Sequence, residues 1–164
     1  MSKQVQVALL LTGNELMSGN TVDSNSSRIA LALGAHKIGV GKKITVGDDP
    51  TLLTDSLIDL CASAEVVIIN GGLGPTEDDL TAELVAEVAG QALANHPSAI
   101  EHLKAWCERR GLELNASNLK QALLPEGADL VANPIGSAVG FAIEVNGALA
   151  VSYTHLTLPT ICSV

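Results

Sequence analysis

The fold class is decided by a stretch that reads Val66-Val67-Ile68-Ile69-Asn70-Gly71-Gly72-Leu73-Gly74-Pro75-Thr76-Glu77-Asp78-Asp79. Residues 66–69 are an unbroken β-branched run, which is the pattern of a strand buried on both faces in a parallel sheet. A glycine-rich and acidic loop, residues 71–79, follows directly. Open α/β sheets bind ligands beyond the carboxyl ends of their strands, so this loop is the first candidate for a functional site.

Strands and helices are predicted to alternate on both sides of this stretch. Apolar runs predict strands at residues 5–11, 38–46, 66–69, 130–132 and 140–145. Helical patterns predict four helices. The first is capped by Asp23, Ser24 or Asn25 and ends at Gly34, and the second is capped by Asp49 and begins at Pro50. The third has an apolar face over residues 80–88, and the fourth follows Pro97 and ends at Gly111. This order predicts an α/β fold with a mainly parallel sheet and helices on both faces.

The composition limits the classes of function. The 164 residues, 47% of them hydrophobic, are enough for one domain with its own core. Aromatic residues make up 2% and the net charge is -9, which argues against nucleic-acid binding. No apolar run approaches the roughly 18 residues of a membrane helix and no signal peptide is recognisable, so we expect no membrane partner and a cytoplasmic location. The three cysteines, Cys61, Cys107 and Cys162, are widely spaced and are expected to be reduced thiols.

The loop at residues 71–79 has two interpretations. Its glycines would let backbone N–H groups approach a phosphate, and residues 76–79 are expected to open a helix whose N-terminus favours negative charge. Its carboxylates would suit a magnesium ion that is held by one or two carboxylates and by substrate phosphates, and such an ion would offset the acidic background. Acidic residues also favour a first helical turn for purely structural reasons, and Thr76 could be only an N-cap.

Two further strand-ending loops carry carboxylates. Asp49 is better explained as the cap of the helix at Pro50, which leaves Asp48 free to face the site. Glu15 is either a site residue or part of an exposed loop. The sequence contains neither the G-x-G-x-x-G dinucleotide fingerprint nor the G-x-x-x-x-G-K-[ST] phosphate loop.

Residues 71–76 with residues 78–81 resemble the signature of the competence-damage-inducible protein CinA family. Further stretches agree in order and spacing: residues 13–16 with 18–19, 23–26, 46–49, 120–122, and Asn133 with 136–138 and 140–141. The resemblance covers residues 5–151. It implies the fold of molybdopterin-binding domains of the MogA, MoaB and gephyrin type, a three-layer α/β/α arrangement.

The resemblance also implies an activity. Members of the family are divalent-metal-dependent pyrophosphatases acting on ADP-ribose, often fused to a nicotinamide mononucleotide deamidase domain, which we expect to be absent here. The implied cofactor is magnesium, manganese or cobalt, with a monovalent cation as a further candidate. The implied partners are a small nucleotide substrate and further copies of the chain. The alternatives are a molybdopterin-type cofactor-binding module without hydrolysis, by fold analogy, and a structural domain whose loop only caps a helix.

Site residues are assigned by motif match. The predicted catalytic residues are Asp79, Asp78 and Glu15. The predicted metal ligands are Asp48, Asp78 and Asp79. The predicted substrate contacts are Gly71, Gly72, Gly74, Thr76, Asn25, Asn118, Asn133 and Ser137.

The sequence departs from the family pattern after Val151. The family continues with Leu-Pro-Gly-Val-Pro, whereas this chain reads Ser152-Tyr153-Thr154-His155-Leu156-Thr157-Leu158-Pro159. We therefore expect a domain at residues 1–151 that is incomplete at its C-terminus, and a tail at residues 152–164 that is not native to the family. This truncation would put activity in doubt.

Overall fold

The structure is a computed structural model that describes residues 5–154. Its helices and strands are, in chain order, β1 (Val7–Thr12), α1 (Asn14–Met17), α2 (Asn25–Ala35), β2 (Val40–Val46), α3 (Pro50–Ser63), β3 (Val66–Asn70), α4 (Thr81–Ala89), β4 (Leu93–Asn95), α5 (Pro97–Arg110), α6 (Ala116–Lys120), β5 (Leu123–Pro125), β6 (Asp129–Val131), β7 (Gly140–Val145) and β8 (Ala148–Ser152).

The main sheet has six strands in the order β2-β1-β3-β8-β7-β6. The first four are mutually parallel, β7 runs antiparallel to β8, and β6 runs antiparallel to β7. Strands β4 and β5 form a separate antiparallel pair. Val7 lies opposite Val66 and Leu11 opposite Asn70, so β1 and β3 end together at one edge of the sheet. The predicted, mainly parallel α/β fold is confirmed.

Strand β1 shows how the sheet divides the domain into layers. All six of its residues are buried, and alternate side chains enter different cores. Ala8 and Leu10 pack in the cluster that contains Leu57 of α3, while Leu9 and Leu11 pack against Ile29 of α2 on the other face. Burial of each leucine contributes about 1.5–3 kcal/mol. The three-layer α/β/α arrangement is therefore present.

Most predicted elements occur within a few residues of their expected bounds. Asp49 caps α3 as predicted, since its Oδ1 accepts a hydrogen bond from the Leu52 amide at 2.9 Å, and α5 ends at Gly111 with a φ of 64°. The predicted end of α2 at Gly34 is wrong. This helix continues to Ala35, and the chain reverses at Lys37, whose φ is 61°, as the Ile38 amide bonds to the Leu33 carbonyl at 3.0 Å.

Strand β8 was not predicted, although it lies between β3 and β7 near the middle of the sheet. It ends at Ser152, which is fully buried, and the buried Tyr153 donates its amide hydrogen to the Ile69 carbonyl at 3.0 Å. Ser152 and Tyr153, which the sequence placed at the start of the tail, therefore pack with the sheet. The domain boundary at residue 151 stays a prediction, and residues 155–164 lie outside the described range.

Cys61 and Cys107 are buried free thiols, as predicted, and Cys162 lies outside the described residues. Burial raises the pKa of the Cys61 thiol above its ordinary value. Within residues 5–154, no helix combines the length and the hydropathy that crossing a membrane requires.

Candidate ligand-binding site

The glycine-rich loop, residues 71–80, lies at the sheet edge where β1 and β3 end. Gly71 and Gly72 have φ values of 115° and 66°, which favour glycine. A Cβ at Gly71 would collide with the Thr12 backbone, and one at Gly72 would collide with the Thr81 hydroxyl. Glycine is therefore required at both positions, because the loop passes close to Thr12 at the end of β1 and to Thr81 at the start of α4.

The expected helix start within residues 76–79 is wrong, because α4 begins at Thr81. Residues 76–79 form a turn that the Asp79 side chain closes. Its Oδ2 accepts hydrogen bonds from the Thr76 amide at 2.9 Å and from the Thr76 hydroxyl at 2.5 Å. This carboxylate satisfies the Thr76 amide within the turn.

The carbonyl groups of the loop are anchored, whereas its first amide groups are not. Thr81 Oγ1 donates to the Gly71 carbonyl at 2.9 Å, Gln121 Nε2 donates to the Leu73 carbonyl at 3.2 Å, and Lys120 Nζ donates to the Thr76 carbonyl at 2.6 Å. The amide groups of residues 71–74 donate no hydrogen bond to another described residue. Successive amide groups of this kind can form an anion-binding concavity.

Asp48 joins the ends of β1 and β2. Its Oδ1 accepts from Thr12 Oγ1 at 3.0 Å and its Oδ2 accepts from the Asn14 amide at 3.1 Å. The Asp48 amide donates in return to Asn14 Oδ1 at 3.1 Å. As expected, Asp48 does not cap α3. Its carboxylate instead holds the loop after β1 in place.

The predicted metal ligands Asp48, Asp78 and Asp79 are not assembled into a metal site. Across residues 5–154, no group of three His, Cys, Asp or Glu side chains is arranged to hold a metal ion. The carboxylates of Asp48 and Asp79 accept the hydrogen bonds described above. Asp78 is exposed, and its carboxylate has no hydrogen bond to another described residue. These residues could thus supply one or two carboxylates to a cation, but they do not form a preorganised metal site.

A polar cavity of about 210 Å³ lies beside Gly71 at the end of β1, and its walls include Glu15, Asn25 and Asn70. Asn25 Nδ2 donates to Asn70 Oδ1 at 2.9 Å, and Asn70 Nδ2 donates to the Tyr153 carbonyl at 2.7 Å. The Glu15 carboxylate is exposed and folds back over Gly13. The structure therefore brings the predicted residues Glu15, Asn25 and Gly71 together.

The start of α2, which carries Asn25 into this polar cavity, is fixed by Asp23. The Asp23 carboxylate accepts from the Ser26 amide at 2.9 Å, from the Ser26 hydroxyl, and from Lys43 Nζ at 3.0 Å. Burial alone would raise the pKa of Asp23, but the hydrogen bonds from Ser26 and the hydrogen bond and charge of Lys43 outweigh it. The pKa of this carboxyl consequently lies below its ordinary value.

A second cavity, of about 430 Å³, borders residues 73–75 of the loop. We call it the Trp106 groove, and it is lined by Leu73, Gly74, Pro75, Trp106, Arg110, Gln121, residues 135–138 and Thr154. The predicted contact Ser137 lies here. Thr76 and Asp79 lie in the turn that follows Pro75.

Two other predicted contacts have structural partners of their own. Asn133 is 2% exposed, and its side chain donates to the Ala138 carbonyl at 2.8 Å and accepts from the Gly136 amide at 3.0 Å. It thereby shapes the loop that carries Ser137. Asn118 forms a reciprocal capping box with Asn115 at the start of α6. A ligand is not needed to explain either side chain.

The comparison with known sequences agrees with this geometry. Residues 8–160 match a family model described as a probable molybdopterin binding domain. The chain belongs to this family. Over 141 residues it is 50% identical to a CinA-like protein of Colwellia psychrerythraea, covering 86% of the chain and 33% of that protein. It is 43% identical over 144 residues to a CinA-like protein of Citrifermentans bemidjiense, covering 88% and 35%. The chain thus spans about a third of the length of these relatives.

Several solved structures have the same fold. The protein CinA of Thermoplasma acidophilum, described as having unknown function, superimposes with a TM-score of 0.81 at 29% identity, covering 91% of this chain and 87% of that one. The Mog protein of Mycobacterium ulcerans gives a TM-score of 0.60 at 16% identity, covering 96% and 87%. The MoaB protein of Pyrococcus furiosus gives 0.58 at 14% identity, covering 98% and 88%. The last two similarities support the fold alone.

Sequence reasoning missed several residues of the site in this CinA-like domain. Asn70 had a detectable signal, since it is a polar residue that ends an apolar strand. Lys120 and Gln121 were noted only as part of the family resemblance. Trp106 and Arg110 gave no signal, because an aromatic and a basic residue one turn apart on a helix are common on protein surfaces.

Proposed function

We propose that the domain binds a phosphorylated small molecule of the molybdopterin cofactor type, with the phosphate against the amide groups of residues 71–74. The observation that carries this proposal is the row of amide groups that make no hydrogen bond to other described residues. A phosphate supplies the acceptors that such amide groups lack. Membership of the probable molybdopterin binding domain family supports the choice of ligand class.

The surroundings of the loop fit a ligand with a phosphate and a bulkier part. The polar cavity borders Gly71, and the Trp106 groove borders Leu73, Gly74 and Pro75. The Lys120 ammonium group is held 2.6 Å from the Thr76 carbonyl, so one cation is fixed at the loop. A local positive charge matters here because the whole chain carries a net charge of -9.

A second candidate function is the hydrolysis of a nucleotide diphosphate such as ADP-ribose. It is favoured by the exposed carboxylates of Asp78 and Glu15, which have no hydrogen-bond partner among residues 5–154. A divalent magnesium, manganese or cobalt ion would be held by one or two carboxylates of the loop, such as that of Asp78, together with the substrate phosphates, and it would polarise a phosphoryl oxygen. Water would attack phosphorus and break the P–O–P bond to give AMP and ribose 5-phosphate. A carboxylate of the chain would orient that water, while the amide groups of residues 71–74 would stabilise the developing charge.

Two glycine variants test the phosphate site. Gly72 and Gly90 both have a φ of 66°, but a Cβ would collide with Thr81 only at Gly72 and would meet nothing within 4 Å at Gly90. Titration calorimetry with molybdopterin and with pyrophosphate should show binding that Gly72→Ala abolishes and Gly90→Ala preserves. Equal affinities in the two variants would refute the proposed site.

Product analysis separates the two candidate functions. Incubation with ADP-ribose and magnesium, manganese or cobalt should release no AMP if the domain only binds its ligand. Metal-dependent AMP release that is lost when Asp78→Asn and Asp79→Asn are combined would support hydrolysis instead. Release that persists in this double variant would rule out both carboxylates as catalytic residues. A homo-oligomer and a cytoplasmic location also remain predictions.

A further inference from the structure

The Trp106 groove contains a stacked pair of side chains that the phosphate site does not use. Trp106 and Arg110 lie one turn apart on α5, and Arg110 Cζ is 4.6 Å from the centroid of the Trp106 ring. Trp106 is half-buried and Arg110 is exposed, so the guanidinium group lies over the indole ring and the pair stays accessible from solvent. Planar guanidinium groups and aromatic rings are the surfaces on which heterocyclic bases stack.

The α5 helix also fixes the opposite wall of the groove. Trp106 Nε1 donates to the Ile135 carbonyl at 3.2 Å, and His102 Nε2 lies 2.9 Å from the Gly136 carbonyl. The stacked pair and the loop that carries Ser137 are therefore held at a fixed separation. The volume of about 430 Å³ falls in the usual range of small-molecule sites, about 300–1,000 Å³.

A buried amide in the groove lacks a partner. Gln121 is 6% exposed and lines the groove, and its Nε2 donates to the Leu73 carbonyl. Its Oε1 is buried and accepts no hydrogen bond within the part of the chain that the structure describes. Buried polar atoms without a partner are uncommon, and one beside a cavity points to a ligand that donates a hydrogen bond.

We propose that the Trp106 groove binds the planar heterocycle of the ligand, which stacks on the Trp106–Arg110 pair and donates a hydrogen bond to Gln121 Oε1. The inference rests on the proposed function, because Gly74 and Pro75 line this groove and so place it directly beside the phosphate site at residues 71–74. The ligand class is a fused nitrogen heterocycle with an attached phosphate. A pterin and an adenine nucleotide share this chemistry, and the experiment distinguishes them.

The test compares ligands with and without a ring. The whole chain is titrated with 6-hydroxymethylpterin phosphate, AMP and ribose 5-phosphate. Trp106→Leu should weaken binding of the ring-bearing ligand about tenfold, as loss of base stacking does, and should change ribose 5-phosphate binding less than about twofold. Trp106→Phe is the matched variant, because it also loses the hydrogen bond to Ile135 but keeps an aromatic face. It should retain most of the affinity.

Two further readouts address the stacking and the amide. Trp106 is the only tryptophan of the chain, so stacking of AMP should change its fluorescence, whereas ribose 5-phosphate should not. Arg110→Lys keeps the charge but removes the planar group, and Gln121→Leu removes the acceptor. Both substitutions should weaken the binding of the ring-bearing ligands more than that of ribose 5-phosphate. Tighter binding of either the pterin or AMP identifies the ring.

The failures of the two proposals are distinguishable. If Trp106→Leu weakens all three ligands equally, or if the phenylalanine and leucine variants behave alike, Trp106 acts only on the structure of the groove and the inference is overturned while the phosphate site stands. If none of the three ligands binds the unmodified chain, the proposed function is overturned, and the inference with it.

Discussion

The amide nitrogen of Thr76 lies 2.9 Å from Oδ2 of Asp79, and this contact closes the turn at residues 76–79 that precedes α4. Asp79→Ala should therefore destabilise the domain by about 1 kcal/mol, the usual cost of removing a capping side chain. Asp78→Ala removes a carboxylate without a described partner and should change stability by less than about 0.5 kcal/mol. Urea denaturation measures both, and equal losses would contradict the structural role of Asp79.

Asp48 and Asp49 are adjacent carboxylates with separate roles. Asp48→Ala leaves the partly buried Thr12 hydroxyl and the Asn14 amide without their acceptor, which should cost about 1–3 kcal/mol and weaken ligand binding at the end of β1. Asp49→Ala removes only the cap of α3, so it should cost about 1 kcal/mol and leave ligand affinity unchanged. Denaturation and calorimetry on the same samples separate these effects.

The Asp23–Lys43 contact predicts a dependence of stability on pH. The pKa of Asp23 is lower in the folded state than in the unfolded chain, so its contribution to stability is complete above the ordinary carboxyl pKa, about 4, and is lost as the pH falls through the folded pKa. Lys43→Met should raise the Asp23 pKa and reduce this acid sensitivity. Lys42→Met, at an exposed neighbouring position, is the control. NMR titration of the Asp23 carboxyl carbon reports the change directly, and an unaltered pKa in Lys43→Met would be inconsistent with the contact.

Lys120 is predicted to order the glycine-rich loop. Lys120→Met removes the hydrogen bond to the Thr76 carbonyl and the nearby charge, so affinity for pyrophosphate should fall about tenfold, in line with a charge-assisted hydrogen bond. Stability should fall by less than about 1 kcal/mol, because the contact is exposed. Lys104→Met on the surface of α5 is the control, and an equal affinity in both variants would argue against a role for Lys120.

The features that the sequence predicted are those that are encoded locally. The apolar runs of β1 and β3, the cap and proline at Asp49-Pro50, and Gly111 at the end of α5 all follow from neighbouring residues. The helix after Pro75 was placed too early because residues 76–79 are compatible with either a helical turn or the Asp79-closed turn. A competition of this kind is settled by small energy differences that a pattern does not reveal.

The unpredicted features depend on distant residues. Strand β8 is short and rich in alanine, and only its pairing with Val66–Ile69 makes it a central strand. The Asn25–Asn70 hydrogen bond joins residues that are far apart in sequence, and the grouping of Trp106, Gln121 and Ser137 requires three separate segments. Composition also could not show that the carboxylates of Asp48 and Asp79 already accept hydrogen bonds from neighbouring residues.

The position of β8 has a consequence for synthesis of the chain on the ribosome. Strands β1, β2 and β3 emerge first, but the free edge of β3 can pair only when residues 148–152 have been made. Until then this hydrophobic edge is open to pairing with other chains, as any unprotected edge strand is. The side-chain amide of Asn70, at the end of that edge, can donate its hydrogen bond to the Tyr153 carbonyl only in the same step. The nascent domain therefore completes its sheet and its ligand-binding edge at the same moment.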